Sequence, residues 1–349
     1  MSRWAVILAG GVGSRFWPLS TPKRPKQLLP LITDAPLLAD TVARLTELVP
    51  AERTLVVTNA SLAAAVRALL PQLPAENIIA EPRAAGTAPA LAWAAATVAR
   101  RGHAQDVMLC VHADWAIGDD AEFRATLARA AAVAEREQSL VTVGIVPTRP
   151  DPGFGYIEPG APLDTSKAEG ARRVARFAEK PNRETAARMV ADGFLWNSGI
   201  FVWRASDFLA EVRAHSPEVA PSLPLAEAND IAAFFAQVKP ISVDEGVLER
   251  SARVLVLPGD FGWDDVGTWA ALHRVRARDA AGNATFGDVH SVHAANNVVH
   301  ADAGSVVLYG VSDLVVVTRD GLTLVTTKER AAELKLLLDV LPPHVRDRS

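Results

Sequence analysis

Residues 4–8 read Trp-Ala-Val-Ile-Leu, and residues 9–27, which follow directly, read AGGVGSRFWPLSTPKRPKQ. The first five residues are apolar and typical of a buried strand, and this strand runs into a glycine-rich loop. Gly10, Gly11 and Gly13 have no Cβ, so the backbone can turn sharply and come close to a ligand. Because exposed N–H groups of such a loop can bind phosphate oxygens, the stretch predicts a strand that ends at a phosphate site.

Two cations follow the glycines. Arg15 and, eleven residues later, Lys26 add positive charge that glycine cannot supply. The loop is neither of the two common phosphate loops, because it lacks the Gly-Lys-Ser/Thr of a P-loop and the third glycine of a dinucleotide fingerprint. Glycines combined with these cations favour a polyphosphate ligand, and therefore a protein that handles a nucleotide.

Apolar runs alternate with helical patterns up to about residue 150. Strands are predicted at residues 4–9, 54–58, 77–80, 107–111 and 140–146, and helices at 37–48, 61–70, 88–100 and 122–137. This alternation predicts an α/β fold with a mostly parallel, Rossmann-like sheet and helices on both of its faces. Because ligands of such sheets bind at the carboxyl ends of the strands, we expect residues 10–15 and 112–115 at that edge.

The pattern changes after residue 150. Short strands are predicted at residues 156–158, 174–179, 199–203 and 254–257, among helical patterns that reach about residue 277. Five short apolar runs with tight turns then follow, at 287–292, 297–300, 306–309, 314–318 and 322–326, before a closing helix at 328–341. We therefore predict one large domain over residues 1–280 and a small β-rich domain over residues 281–349.

The composition limits the kinds of partner that the protein can have. The 349 residues are 49% hydrophobic and 22% charged, which is typical of a globular protein. A net charge of −4 argues against nucleic acid as a general partner. Cys110 lies in an apolar run and is interpreted as a buried core residue, as expected in a reducing compartment. No signal pattern is present, and no apolar run approaches the roughly 18 residues of a membrane span. We expect a cytoplasmic protein with no membrane partner.

The motifs resemble those of the sugar-1-phosphate nucleotidyltransferases and, within them, the mannose-1-phosphate guanylyltransferases. The family's opening motif, GGxGxRLWPLS…PKQ, is matched from Gly10 to Gln27 with phenylalanine in place of leucine at residue 16. The resemblance implies a nucleotidyltransferase domain, GTP and mannose 1-phosphate as substrates, and GDP-mannose biosynthesis as the role. It assigns nucleotide binding to Gly10, Gly11, Gly13 and Ser14, and catalysis to Arg15 and Lys26.

Two aspartates match the family's metal ligands, so the resemblance implies Mg²⁺ as cofactor. Asp114 lies in Val-His-Ala-Asp-Trp, where the family has Pro-Ala-Asp-His, and Asp265 lies in Trp-Asp-Asp-Val-Gly-Thr-Trp at residues 263–269. Carboxylates are suitable ligands for this hard cation. From the residues alone, Asp114 can also be a turn or N-cap residue, and Asp264 and Asp265 the acidic start of a helix.

A further stretch resembles the family's E-P…R-N-T-A-P-A motif, which lies by the guanine. It assigns nucleotide binding to Glu81, Thr87 and Pro89. This chain has Ala85-Gly86 where the family has Arg-Asn, so side-chain donors near the base are missing. We therefore expect GTP to be preferred, with looser rejection of other purine triphosphates.

Three motifs correspond to the family's sugar-phosphate site. Lys180 of the Glu-Lys-Pro motif would bind the phosphate of the sugar phosphate, and Glu179 would bind sugar hydroxyls. Asn197, in Asn-Ser-Gly-Ile, would also read sugar hydroxyls, and Gly155 and Tyr156 match a glycine-tyrosine pair whose glycine lies against the sugar. Taken alone, Glu-Lys-Pro is common and usually a solvated strand end.

The implied reaction is in-line attack by a sugar-phosphate oxygen on the α-phosphorus of GTP. Because the second pKa of a phosphate monoester is about 6, the nucleophile is already mostly dianionic and needs no general base. Arg15 and Lys26 would bind the triphosphate and stabilise the leaving pyrophosphate.

Two alternatives stay open. One is a nucleotidyltransferase for another sugar 1-phosphate or another NTP, which Ala85-Gly86 favours. The other is a non-catalytic regulatory relative that binds nucleotide sugar, and the presence of Arg15, Lys26, Asp114, Lys180 and Asp265 argues against it. For the oligomeric state, we consider a homodimer.

Overall fold

The computed structural model describes residues 1–11, 14–163 and 170–346 of the chain. Gly13, assigned above to nucleotide binding, lies outside the described residues. The chain divides into two compact units. Unit 1 consists of Met1–Gly10, Val42–His112 and Asp119–Phe261, and unit 2 of Gly11–Thr41, Ala113–Gly118 and Gly262–Ser349.

Unit 1 contains nine strands among the described residues: β1 (Arg3–Leu8), β2 (Thr54–Asn59), β3 (Ile78–Glu81), β4 (Val107–His112), β5 (Leu140–Ile145), β6 (Tyr156–Pro162), β7 (Arg172–Ala178), β8 (Leu195–Arg204) and β9 (Val254–Gly259). The helices up to residue 261 are α1 (Leu37–Leu45, which begins in unit 2), α2 (Ala63–Leu69), α3 (Thr87–Arg101), α4 (Asp120–Glu137), α5 (Arg183–Ala191), α6 (Ala205–His215), α7 (Leu223–Glu227) and α8 (Ile231–Gln237), with a π-helical turn at Asp244–Leu248.

These nine strands form one sheet in the order β3-β2-β1-β4-β8-β5-β9-β7-β6. The α/β fold class is confirmed, and the four strands β3-β2-β1-β4 are parallel as predicted. The sheet as a whole is mixed rather than mostly parallel. The strands β6 and β7 pair antiparallel, and β8 runs antiparallel to both β4 and β5.

The sheet of unit 1 is buried on both faces. On β1, Trp4, Val6 and Leu8 belong to a core cluster that also contains residues of α3 and α6. Ala5 and Ile7, which alternate with them and so face the other side, are fully buried too. Helix α4 packs against β4, β5, β8 and β9. Cys110 is fully buried, in agreement with its interpretation as a core residue, and burial raises the pKa of its thiol.

Unit 2 contains a four-stranded sheet in the order β10 (Ala284–Val292), β11 (Val298–Tyr309), β12 (Leu314–Arg319) and β13 (Leu322–Thr327). The strands β10, β11 and β12 are parallel, and β12 and β13 form an antiparallel hairpin. The unit also contains α9 (Trp269–Val275), α10 (Leu334–Val340) and α11 (Pro343–Arg346). The β-rich character predicted for the C-terminal residues is confirmed.

Two details of this C-terminal region differ from the sequence-based expectation. The separate strands predicted at 297–300 and 306–309 belong to one strand, β11, whose pairing with β10 is interrupted by a bulge. Phe286 pairs with His300 and Asp288 with Ser305, and Gly304 within the bulge has a φ of +75°. The predicted closing helix at 328–341 is a 3₁₀ turn at Arg330–Glu333 followed by α10.

No helix within the described ranges is both long enough and apolar enough to cross a membrane.

Candidate active site

Lys26 is a buried cation at the start of a short 3₁₀ turn, Lys26–Leu28, in unit 2. Only 5% of its surface is exposed. Its Nζ donates hydrogen bonds to Asp114 Oδ2 at 3.1 Å and to the backbone carbonyl of Asp265 at 2.6 Å. A buried ammonium is stable only with such partners. The structure therefore brings together three residues that the sequence analysis selected from distant motifs.

A short bridge of backbone hydrogen bonds explains how the two aspartates meet. The N–H of Ala116 donates to the carbonyl of Asp264 at 2.9 Å, and the N–H of Asp264 donates back at 3.1 Å. This antiparallel bridge places the segment after Asp114 beside the segment that precedes Asp265. Both segments belong to unit 2.

The carboxylate of Asp265 is held close to its own backbone. Its Oδ1 accepts the N–H of Gly267 at 3.1 Å, and a Cβ on Gly267 would lie 2.6 Å from its Oδ2. The residue between them, Val266, is buried with a φ of +47°, a strained conformation for a β-branched side chain. Burial raises the pKa of Asp265. Lys26 opposes this rise, and the negative charges of Asp264 and, less strongly, Asp114 add to it.

Asp264 has a different environment from its neighbour Asp265. Its Oδ2 accepts hydrogen bonds from Arg274 at 2.9 and 2.8 Å, and its Oδ1 accepts the N–H of Val266. The N-cap of α9 is Thr268, whose side chain accepts the N–H of Ala271. The sequence alternative placed Asp264 at the acidic start of a helix. It is instead buried and paired with a cation, and α9 begins only at Trp269.

The glycine-rich loop is attached to the Lys26 turn through Gln27. The Gln27 Nε2 donates to the carbonyl of Gly11 at 2.9 Å, and Gln27 is 3% exposed. Sequence reasoning quoted Gln27 as part of a motif but assigned it no role. Arg15, in contrast with Lys26, is exposed, and its Nη1 lies 3.4 Å from the Gly267 carbonyl, which accepts its hydrogen bond. The backbone of Ser14 begins a 3₁₀ turn.

Glu81 is a buried carboxylate at the end of β3 in unit 1. Within the described part of the chain, its Oε1 has no hydrogen-bond partner, and a Cβ on Gly10 would lie 3.6 Å from its Oε2. Burial raises the pKa of Glu81 to about 7. A buried carboxylate oxygen without a partner is costly, so Oε1 has unused capacity to accept a hydrogen bond from a ligand.

The departure from the family at Gly86 has a structural reason. Its φ is +84°, and a Cβ there would lie 2.2 Å from the carbonyl oxygen of Ile241. The Ile241 N–H donates to the Ala85 carbonyl, and its own carbonyl accepts the N–H of Ala88 at the start of α3. Thr87 Oγ1 accepts the N–H of Val243 at 2.8 Å. The backbone around residue 241 thus caps this helix, and no side chain fits at residue 86.

Pro89, the remaining residue assigned to the base motif, is buried in the first turn of α3.

Asn197 and Gly155, from the predicted sugar-phosphate site, lie together in unit 1. The Asn197 N–H donates to the Gly155 carbonyl at 2.8 Å, and a Cβ on Gly155 would lie 3.1 Å from Glu179 Oε2. Lys180 has a φ of +39° and forms an exposed ion pair with Glu179. Tyr156 is fully buried, and its hydroxyl is hydrogen-bonded to the backbone of Asp151. Its ring therefore fixes a neighbouring loop.

Asp244 is a residue that the sequence analysis missed. Its Oδ1 accepts a hydrogen bond from Asn197 Nδ2 at 2.8 Å, while Asn197 Oδ1 accepts the N–H of Gly199 at 3.3 Å. These two contacts fix the orientation of the Asn197 amide. Burial raises the pKa of Asp244, and the hydrogen bond from Asn197 opposes this rise. The two residues are 47 positions apart, and no motif links them.

Comparison with known proteins identifies the family. Residues 4–282 match the family model described as nucleotidyl transferase, and residues 287–341 match the MannoseP isomerase/GMP-like beta-helix domain. The mannose-1-phosphate guanylyltransferase of Escherichia coli (strain K12) is 39% identical over an alignment of 350 positions, which covers 96% of this chain and 73% of that protein. The mannose-1-phosphate guanylyltransferase ManC of Salmonella typhimurium is 38% identical over 96% of this chain and 72% of its own.

A solved structure agrees with these relatives. The crystal structure of the mannose-1-phosphate geranyltransferase, as it is named, from Thermus thermophilus has a TM-score of 0.89 and 34% sequence identity. The alignment covers 97% of this chain and 99% of that one. The chain therefore belongs to the nucleotidyl transferase family, among the mannose-1-phosphate guanylyltransferases.

Proposed function

We propose that this protein transfers GMP from GTP to mannose 1-phosphate, producing GDP-mannose and releasing pyrophosphate. The activity named for its relatives supports this substrate pair. The observation that carries the proposal is the buried Lys26, whose Nζ joins Asp114 to the segment of Asp265. A buried cation beside two carboxylates suits a site for a metal-bound polyphosphate.

The reaction requires positioning and charge stabilisation rather than proton transfer. A sugar phosphate is mostly dianionic at neutral pH, so it can attack the α-phosphorus without a general base. Lys26 and Arg15 would offset the repulsion between the two anions and stabilise charge on the leaving pyrophosphate. Because Lys26 is held in place before substrate binds, its contribution costs little reorganisation.

The carboxylates of Asp114 and Asp265 fit a divalent cation, which we propose to be Mg²⁺. The negative charges of Asp264 and, less strongly, Asp114 contribute to the raised pKa of Asp265, and Lys26 bonds both to the Asp114 carboxylate and to the Asp265 backbone. Among the described residues, no cluster of three or more His, Cys, Asp or Glu side chains could hold a metal. Mg²⁺ commonly binds one or two carboxylates plus substrate phosphates, as this pair allows. When bound, it would neutralise charge on the phosphates.

Glu81 is proposed to read the base. Its buried carboxylate is an acceptor with unused capacity. Guanine presents two adjacent donors on one edge, N1–H and the 2-amino group, which match the two oxygens of a carboxylate. Adenine presents an acceptor at N1, which a carboxylate would repel. Gly10, Gly11, Gly13 and Ser14 would bind the triphosphate, and Thr87 and Pro89 would form the wall of the base site.

Unit 1 supplies the proposed sugar-phosphate residues. Lys180 is an exposed cation that would bind the phosphate of mannose 1-phosphate. Glu179 and Asn197 would bind sugar hydroxyls, and Gly155 keeps this surface free of a side chain. Tyr156 would act indirectly, by holding the loop at Asp151.

Pyrophosphate release, measured with GTP, ITP, ATP, CTP and UTP against mannose 1-phosphate and glucose 1-phosphate, tests the activity. We expect the highest kcat/KM with GTP and mannose 1-phosphate, and loss of turnover in the folded Lys26→Met variant. A preference for another nucleotide or another sugar 1-phosphate would favour the first alternative, a nucleotidyltransferase with different substrates. Binding of GDP-mannose without any release would indicate a regulatory relative.

The remaining expectations stay predictions. These are a homodimer, a cytoplasmic location, no binding to nucleic acid, and a domain boundary between residues 280 and 281. Size-exclusion chromatography with light scattering tests the first of them.

A further inference from the structure

The segment that carries Lys26 shares one apolar core with the C-terminal sheet of unit 2. We call residues 14–31 the phosphate segment. Its buried members Phe16, Trp17, Leu19, Leu29 and Leu31 belong to the same cluster as Val298, Val315, Val317, Leu324 and Leu334. Phe16 also packs edge-on against Trp269, with ring centroids 5.3 Å apart. The phosphate segment is therefore packed against β11, β12, β13 and α10.

Polar contacts from the C-terminal residues hold the backbone of the phosphate segment on both sides of Lys26. Arg319 Nη1 donates to the carbonyl of Leu19 at 2.6 Å. Arg276 Nε donates to the carbonyl of Leu31, also at 2.6 Å. The third contact comes from the segment itself, because Trp17 Nε1 donates to the carbonyl of Arg346 at 3.0 Å.

Arg276 is an unusual cation because it is buried without a carboxylate. It is 7% exposed, and its hydrogen-bond partners in the described ranges are the carbonyls of Leu31 and Val299 and the Nδ1 of His300. Burial lowers the pKa of Arg276 to about 10, and burial with the nearby arginine lowers the pKa of His300 to about 3. The His300 ring is therefore neutral and accepts from Arg276.

Aromatic stacking completes the support of Arg276. The ring of Phe286 stacks on His300 with centroids 4.3 Å apart, and the Arg276 guanidinium lies 5.5 Å from the Phe286 centroid. Burying a charge without a counter-charge is unfavourable for stability. The Arg276 guanidinium is, however, a rigid, planar donor, and its packing fixes its Nε–H in the direction of the Leu31 carbonyl.

We propose that the C-terminal part of unit 2 positions the cation of the triphosphate site, with Arg319 at the end of β12 and Arg276 directly after α9 as the positioning residues. By holding the carbonyls of Leu19 and Leu31, they fix the turn that presents Lys26. The inference rests on the proposed function, since it assigns Lys26 to the triphosphate. A displacement of about 1 Å in a catalytic group can cost on the order of 100-fold in rate.

The kinetic test compares Arg319→Met with a matched control, Leu308→Ala. Leu308 belongs to a separate cluster of the same sheet, with Ala294, Val299 and Val316, which contains no residue of the phosphate segment. We expect Arg319→Met to lower kcat about 10-fold or more and to raise the KM for GTP, with little change in the KM for mannose 1-phosphate. Leu308→Ala should lower the melting temperature while kcat stays close to that of the native protein. Arg319→Lys, which keeps the charge and one donor, should restore part of the rate.

Hydrogen exchange gives a readout that does not depend on activity. The amides of Leu28, Leu29 and Leu31 are hydrogen-bonded within the phosphate segment. We expect them to exchange faster in Arg319→Met and Arg276→Met, but not in Leu308→Ala. If Arg276→Met does not fold, Trp17→Phe removes the third contact and keeps an aromatic ring.

These measurements separate the two hypotheses. Failure of the native protein to release pyrophosphate would contradict the proposed function, while faster exchange in the arginine variants would still support the positioning role. Native kcat and native exchange in folded Arg319→Met would overturn the inference. An equal loss of kcat in Leu308→Ala would overturn it too, because the effect would then be general destabilisation.

Discussion

At the scale of single residues, the adjacent carboxylates Asp264 and Asp265 have different partners. Asp264 is buried and bound by Arg274, whereas the Asp265 backbone carbonyl accepts from Lys26 and its carboxylate accepts only the N–H of Gly267 among the hydrogen bonds of the described residues. We expect Asp114→Asn and Asp265→Asn to raise the Mg²⁺ concentration needed for half-maximal pyrophosphate release and to weaken Mn²⁺ binding.

Asp264→Asn is the matched control for these two substitutions. It removes the same charge one residue away, so we expect lower thermal stability with an unchanged Mg²⁺ titration in the folded protein. If titrations of all three variants overlay that of the native protein, the paired carboxylates do not hold the metal.

Glu81 gives a second prediction at this scale, on stability against pH. The pKa of Glu81 is about 7 in the folded chain, against an ordinary value near 4.3 in the unfolded chain. Between these values the folded state keeps a proton that the unfolded state has lost. The free energy of unfolding therefore falls as pH rises through this window. Above it, the folded protein bears the full cost of burying an ionised Glu81 carboxylate.

Glu81→Gln abolishes the titration, so the penalty disappears. We expect the free energy of unfolding of the variant, minus that of the native protein, to be larger at pH 8 than at pH 5 by on the order of 1–3 kcal/mol. Urea denaturation of both proteins at the two pH values measures this difference. A stability difference that does not change with pH would mean that Glu81 titrates normally.

At the scale of elements, the π-helical turn that begins at Asp244 fixes a side chain of β8. Because Asp244 accepts from the Asn197 amide, Asp244→Leu would remove this acceptor and free Asn197 to rotate. We expect the KM for mannose 1-phosphate to rise several-fold while the KM for GTP changes little. The exposed neighbour Glu245, changed to Gln, is the control. Equal effects on both KM values would contradict a role specific to the sugar.

The start of α3 gives a prediction on stability. Gly86 has a positive φ and no room for a Cβ, whereas Gly193 has a φ of +80° with open space around the same position. Gly193→Ala therefore measures the backbone strain alone. Gly86→Ala should cost more, because it must also displace the carbonyl of Ile241, and we expect a loss of about 1–3 kcal/mol beyond the control. Equal losses in urea denaturation would show that residue 241 moves aside freely.

Sequence reasoning was most successful where local patterns decide the structure. Apolar periodicity located β1, β4 and the helices α1 to α4, and motif order selected Lys26, Asp114 and Asp265, which the structure brings together. It did not place β8 between β4 and β5, because strand order depends on pairing across long chain separations. It missed Asp244 for the same reason.

At the scale of the whole molecule, unit 2 is assembled from three separate stretches of chain. Residues 11–41, 113–118 and 262–349 form one compact body, so the phosphate segment belongs structurally with the C-terminal sheet although the sequence separates them widely. Periodicity could not reveal this association. The sequence gives one sign of this association. Phe16, Trp17 and Leu19 are apolar and need another part of the chain to be buried against.

This assembly predicts the effect of ending the chain after Asn283. The truncation removes Val298, Val315, Val317, Leu324 and Leu334, which pack against the phosphate segment. Unit 1 keeps its own core cluster, so we expect its strands to retain slow amide exchange. The phosphate segment should lose exchange protection, and pyrophosphate release should fall by about 100-fold or more, since Lys26 is no longer held. Leu308→Ala in the full chain controls for a merely destabilised sheet. A truncated protein that keeps native turnover would show that the phosphate segment folds and functions without the C-terminal residues.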